Sequence, residues 1–218
     1  MTNTPYRVKI TIEIKLRGIS MIKNVIFDFG QVLVRFDPEY MCSLYTDSTE
    51  DIALLAEVVF DRLYWERFDA GTIENEEFIE SIQKRLPKRL HETAEKVYFN
   101  WINTLPEIPG MRDVIALCRE RGFGVYLLSN ISREFAARYR EIPILSLIDG
   151  FVFSSTCGYV KPDARIFAHI MEKFGLEPES TLFVDDNANN IRGATAVGLQ
   201  AYHFDGNAKK LLDYINAL

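Results

Sequence analysis

The strongest constraint in this sequence is a set of short apolar runs that end in polar or acidic residues. Val25-Ile26-Phe27 runs into Asp28, residues 124–128 run into Ser129 and Asn130, and residues 182–184 run into Asp185 and Asp186. Residues 200–204 add a fourth candidate strand and residues 151–153 a weaker fifth. Short apolar runs with little alternation are the pattern of strands buried on both faces. Between them lie apolar stripes at helical spacing: Met111, Val114, Ile115 and Cys118; Ile166, Phe167, Ile170, Met171 and Phe174; Ile191, Ala194 and Val197; Leu211, Leu212 and Ile215. Strands alternating with helices predict an α/β fold, a doubly wound parallel sheet covered by helices on both faces.

Residues 37–105 break the alternation. They carry helical stripes (Ile52, Leu55, Val59; Phe78, Ile79, Ile82; Val97, Tyr98, Trp101) and no strand pattern. The expected organisation is a core of residues 22–36 and 106–218 with a helical segment of residues 37–105 inserted after the first strand. Asp69-Ala70-Gly71-Thr72 reads as a turn inside the insert, and Pro109 is suited to start the helix that returns the chain to the core. Residues 1–21 form an N-terminal extension. Val8, Ile10, Ile12, Ile14 and Leu16 alternate with polar residues as in an edge strand. The alternative expectation is that Met21 is the true start, because Arg17-Gly18 can be encoded by a ribosome-binding-site sequence just upstream of it. No chemistry is assigned to this stretch.

Of the 218 residues, 48% are hydrophobic, enough for a packed core. The net charge of −6 comes from mixed signs without a basic stripe, which argues against nucleic acid as a partner. No apolar run is long enough to cross a bilayer, and no secretory signal is visible, so the expectation is a cytoplasmic chain, monomer or homodimer. Cys42, Cys118 and Cys157 are odd in number and lack a CxxC pair, which reads as free thiols.

In an open parallel sheet, ligands bind beyond the carboxyl ends of the strands. That edge collects Asp28, Ser129, Asn130, Asp185 and Asp186, with Lys161-Pro162 in a loop before a helix. Crowded carboxylates repel one another, and a divalent cation with hard oxygen ligands relieves this, which suits Mg²⁺. The cation and Lys161 offset the charge of an incoming phosphate, so that an aspartate can approach phosphorus. Ser129 and loop backbone N–H groups can hold phosphate oxygens. Each residue also has a plainer reading. Asp28, Ser129-Asn130 and Asp185-Asp186 could be helix caps or turns, and Lys161-Pro162 is a common loop–helix junction. Together, in this order, they favour the chemical reading.

The arrangement resembles the haloacid dehalogenase superfamily, in its branch with a helical cap. Four stretches carry the resemblance: Val25-Ile26-Phe27-Asp28-Phe29-Gly30, Leu127-Leu128-Ser129-Asn130, Val160-Lys161-Pro162-Asp163 and Leu182-Phe183-Val184-Asp185-Asp186. The resemblance implies a phosphatase acting on a small phosphorylated metabolite. Asp28 would be nucleophile and metal ligand, and the Gly30 carbonyl and Asp186 further ligands. Asp185 would bind the metal directly or through water. Ser129 and Asn130 would hold the phosphate, and Lys161 would balance charge. Arg35-Phe36-Asp37, Asp69-Ala70-Gly71-Thr72-Ile73 and Lys161-Pro162-Asp163-Ala164-Arg165-Ile166 resemble the bacterial α-D-glucose-1-phosphate phosphatase type, which favours a sugar phosphate such as a hexose 1-phosphate.

The chief departure is Gly30, where phosphatases of the family usually carry a second aspartate as acid and base. Its loss costs about 10²–10⁴ in rate. Three consequences are open: a leaving group that needs little help, a substitute such as Gln31-bound water, Asp37, Glu66 or Asp69, or a weak enzyme acting as a phosphate-ligand sensor. Asn190 is a lesser departure, an amide where many relatives carry aspartate. It can still position Lys161 or a metal-bound water. His91, His169 and His203 read as bystanders, and Trp65 and Trp101 as cap core, with Trp65 able to face the entrance.

Overall fold

The computed structural model of the protein describes residues 21–69, 73 and 75–218, the side chains of residues 68 and 69 excepted. The alternating stretch of residues 8–16, the question of Met21 as start, and most of the turn at residues 69–72 lie outside them. Five strands form one parallel sheet: β1 (Asn24–Phe27), β2 (Gly124–Ser129), β3 (Gly150–Phe153), β4 (Thr181–Asp185) and β5 (Gln200–His203). Their order is β3-β2-β1-β4-β5. All five expected strands are present. The chain winds outward from β1 to β3, then crosses over to β4 on the other side. The crevice between β1 and β4 is therefore the switch point, where such sheets bind ligands. Register places Phe27 between Leu127 and Val184, so the loops that follow all three strands leave the same edge.

The unbroken apolar runs serve two faces. Ile26, Leu128, Val152 and Phe183 pack on one side with Ile166, Phe167 and Ile170 of α9 (Ala164–Phe174) and Ala194 of α10 (Ala188–Ala196). Val25, Phe27, Leu127, Leu182 and Val184 pack on the other with α6 (Met111–Glu120) and α11 (Ala208–Asn216). Two shorter helices, α7 (Arg133–Arg138) and α8 (Ser154–Cys157), follow β2 and β3. Side-chain caps start several of these helices. Ser132 accepts from Phe135 N, Asp163 from Arg165 N, Asn187 from Asn189 N and Asn207 from Lys210 N. The helix expected at Pro109 begins instead at Met111. Gly110 is its N-cap with φ +89°, and a Cβ there would stand 3.1 Å from that of Ala208, so glycine suits both the backbone and the close approach of α11.

Residues 37–105 hold α1 (Pro38–Ser43), α2 (Thr49–Val59), α3 (Arg62–Asp69), α4 (Asn75–Arg85) and α5 (His91–Asn100), with no strand among the described residues. Leu55, Phe78, Val97 and Trp101 belong to the same apolar cluster as Val25 and Phe27. Trp101 stacks on Phe135 of α7 at 5.8 Å, and Arg138 donates to the Phe99 carbonyl at 2.9 Å. These contacts bring the insert down over the carboxyl edge of the sheet. All three cysteines are free thiols, Cys42 and Cys118 fully buried. No described helix is long and apolar enough to cross a membrane.

Candidate active site

The chain turns sharply after β1. Asp28 N donates to Val184 O, which continues the ladder by one residue and aims the Asp28 side chain at the crevice. Gln31 then adopts φ +58°, a left-handed conformation costly for a residue with a Cβ, and its amide donates to Phe36 O. This turn brings Phe29, Gly30 and Gln31 beside the carboxylates.

Lys161 lies at the centre. Its side chain is 1% exposed and its Nζ contacts Asp28 Oδ1 at 2.8 Å and Asp185 Oδ2 at 2.7 Å. Asp185 is fully buried and accepts four hydrogen bonds. They come from Lys161 Nζ, from Asn187 N, and from Asn190 Nδ2 to both oxygens. The Lys161 loop is fixed by Asn130, whose amide donates to Lys161 O and accepts from Lys161 N. It is backed by α10 at Gly193, where a Cβ would come within 2.6 Å of the Pro162 carbonyl oxygen.

Two carboxylates thus hold one ammonium, with a third beside them. Oxygens of Asp28, Asp185 and Asp186 lie within 4.8 Å of one another. Burial pushes the Asp28 carboxyl up to about 7; Lys161 opposes this and Asp185 adds to it. Asp186 is raised by burial and by Asp185. Burial alone would lower the Lys161 ammonium, but Asp28 and Asp185 outweigh it and hold it above its ordinary value. The donor chemistry is hard oxygen with excess negative charge, which fits a small divalent cation. Since the Asp185 oxygens are occupied by donors, Asp28 and Asp186 are the side chains best able to reach one.

Above this floor is a cavity of about 420 Å³ lined by Asp28, Gly30, Gln31, Ser129, Asn130, Lys161, Asp186 and Asn190 from the core, and by Phe36, Phe60, Arg62, Trp65 and Trp101. The structure therefore brings Asp28, Gly30, Ser129, Asn130, Lys161, Asp185 and Asp186 to one place. It also separates their duties. Asn130 spends its side-chain amide on the Lys161 loop, and Asn190 turns to Asp185 instead of Lys161. Asp37, a candidate substitute acid, caps α1 through Tyr40 N. Glu66 pairs with Arg62 at 2.9 Å and lines the adjoining mouth rather than this cavity. The Asp69 side chain lies outside the described residues.

Several participants were not singled out for the site. Phe36, Phe60 and Arg62 line the cavity. Trp65 and Trp101, read as cap core, are 8% and 2% exposed and both reach it, an option the sequence left open for Trp65 alone. His203, read as a bystander, stands opposite Asp185 in register, and its Nε2 is 2.8 Å from Asp186 O. The strand alternation of β5 beside β4 was the one available signal for it.

A doubly wound sheet with an acidic, lysine-centred cluster at its switch point is an α/β edge of the hydrolase type. The chain belongs to the haloacid dehalogenase-like hydrolase family, whose profile matches residues 22–198. It is 26% identical over 182 residues to the sesquiterpene phosphatase astK of Aspergillus oryzae, covering 83% of this chain and 89% of that one. It is 25% identical over 198 residues to the D-ribitol-5-phosphate phosphatase of Bacteroides thetaiotaomicron, covering 86% and 94%. Its fold matches a HAD family enzyme of Bacteroides thetaiotaomicron, crystallised with magnesium and inorganic phosphate, at TM-score 0.63 and 22% identity over 85% of this chain and 96% of that one.

Proposed function

We propose that this hydrolase is a Mg²⁺-dependent phosphatase of a small phosphorylated metabolite, acting through a phosphoaspartyl intermediate on Asp28. The observation that carries the reading is the Asp28–Lys161–Asp185 cluster with Asp186 at its rim. The phosphatase names and magnesium–phosphate complex among its relatives support it. Asp28, Asp186 and the Gly30 carbonyl would hold Mg²⁺, with Asp185 behind them. The ion would supply charge neutralisation for the phosphate and lower the Asp28 pKa.

The chain's own residues then divide the work. Ser129 and loop N–H groups receive phosphate oxygens, and Lys161 keeps two carboxylates and the phosphate from repelling one another. Asp28 attacks phosphorus in line, and water hydrolyses the acyl phosphate. Residues 37–105 act as a cap that shapes the leaving-group side. The sequence favours a hexose 1-phosphate, whose anomeric oxygen leaves easily. The relatives' names span a sesquiterpene and a sugar alcohol phosphate.

Phosphate release from a metabolite panel tests the reading. Wild type should turn over only with Mg²⁺ and lose activity on chelation. Asp28→Asn should lose on the order of 10⁴-fold or more. Turnover by Asp28→Asn at the wild-type rate would end the nucleophile assignment. Binding without turnover by wild type would favour the sensor alternative.

A further inference from the structure

An alkoxide leaving group needs a proton, and the described lining of the cavity offers no donor suited to supply one. Among the described lining residues the acidic side chains are Asp28 and Asp186, and there is no histidine, tyrosine or cysteine. Asp28 is the attacking group, and Asp186 sits beside it in the carboxylate cluster. Lys161 is tied to two carboxylates. In-line attack sets the leaving oxygen on the far side of phosphorus from Asp28. Phe36 of the core and Phe60, Trp65 and Trp101 of the insert face that side. Phe60 and Trp65 stack at 5.7 Å, and Trp65 meets Trp101 edge-on at 5.2 Å. The Trp65 indole N–H is spent on Val59 O at 2.7 Å. Among the described lining residues of the insert the remaining polar groups are the Trp101 indole N–H and the Arg62 head, which Glu66 engages. A sugar's hydroxyls would find few partners on this wall.

We infer that the substrate class is an aryl phosphate monoester: a phenolic oxygen on a small apolar ring. The inference rests on the phosphatase reading above and deepens it. A phenol titrates near about 10, well below an aliphatic alcohol, so it departs as phenolate without a general acid. Its ring offers the wall the offset and edge-to-face contacts that aromatic side chains favour. An Asp28 oxygen bonds to phosphorus as the P–O(aryl) bond breaks. The electron pair stays on the phenolate, which takes its proton from bulk water. Water then adds to the phosphorus of the acyl phosphate and gives its proton to the departing phosphate, and Asp28 returns as carboxylate.

The test compares kcat/KM, with Mg²⁺ present, on substituted phenyl phosphates of graded phenol pKa and on aliphatic phosphates including a hexose 1-phosphate. Phenyl phosphate should exceed the hexose 1-phosphate by roughly tenfold or more, and the phenyl series should fall steeply as phenol pKa rises. Gly30→Asp is sterically open, since no atom lies within 4 Å of a Cβ there and the backbone is not left-handed. It should raise the aliphatic substrates by about 10²-fold and flatten the phenyl series. Phe36→Leu, at a partly buried position that spares the fold, should raise KM for phenyl phosphate more than it lowers kcat. A hexose 1-phosphate turned over as well as phenyl phosphate, or a phenyl series flat in wild type, overturns this inference and leaves the phosphatase standing. Phosphate release from neither series overturns the phosphatase reading, and the inference with it.

Discussion

The floor and the wall of the cavity are built in opposite ways. The floor is polar and cross-linked. Lys161, Asp28, Asp185 and Asn190 hold one another through ion pairs and hydrogen bonds of 2.7–3.1 Å, and each sits at a strand end, in a loop or on an adjoining helix. The wall is four aromatic rings from separate elements, held by packing between 5.2 and 6.3 Å. Hydrogen bonds are directional and fix positions to fractions of an ångström, whereas ring packing tolerates repacking. The floor should therefore govern rate and the wall selection.

The hardest test of that contrast is Lys161→Met. It leaves buried Asp185 without its ammonium and should cost about 3–5 kcal/mol by urea denaturation; a loss under about 1 kcal/mol would show that the floor is not one network. Next comes Asp28. Its folded carboxyl is raised to about 7 from the ordinary 3.8. In metal-free protein its stability contribution is complete below pH 3.8 and is lost as pH rises through about 7, because the folded state binds the extra proton. Above pH 7 with chelator, Asp28→Asn should melt higher than wild type, and the gap should close toward pH 5. A gap independent of pH would refute the burial argument.

Gly193→Ala forces a Cβ to 2.6 Å from Pro162 O and 3.1 Å from Phe167. About 1–3 kcal/mol of stability should be lost, with turnover falling on the order of 10²-fold as the Lys161 loop shifts. Unchanged kinetics would mean that the loop position is not critical. Asn190→Ala removes the Nδ2 donor that makes two hydrogen bonds to Asp185 and should cost about 1–3 kcal/mol, read by thermal melting. Smallest is Phe60→Leu, at about 1 kcal/mol with kcat within about threefold. A rate loss larger than that of Gly193→Ala would dissolve the division between floor and wall.

The same contrast explains what could be read beforehand. Val25-Ile26-Phe27 announces a strand buried on both faces, and a parallel sheet sends Asp28, Ser129 and Asp185-Asp186 to one edge by topology alone. Lys161 comes with them because its loop precedes a helix with a clear stripe. Side-chain duties at that edge were less legible, because Asn130 and Asn190 have several partners in reach and only coordinates choose among them. The wall was nearly illegible. Phe36 follows the turn after β1, Phe60 ends α2, Trp65 sits on α3 and Trp101 follows α5, so their meeting depends on how helices cross. Short elements such as α1 and α8 carry too few turns to show a period. Gly193 had no signal at all, since a glycine in a helix states neither its neighbour nor its distance.

The central place of β1 reaches into how the molecule breathes. A strand laddered on both sides is among the last to open, while helices that cover an edge open earlier. Amide protons of Val25, Ile26 and Phe27 should exchange with solvent most slowly, and those of the insert sooner. Under gentle heating the protein should thus grow less choosy before it grows inert, because its tool is bolted to the frame and its sieve is not.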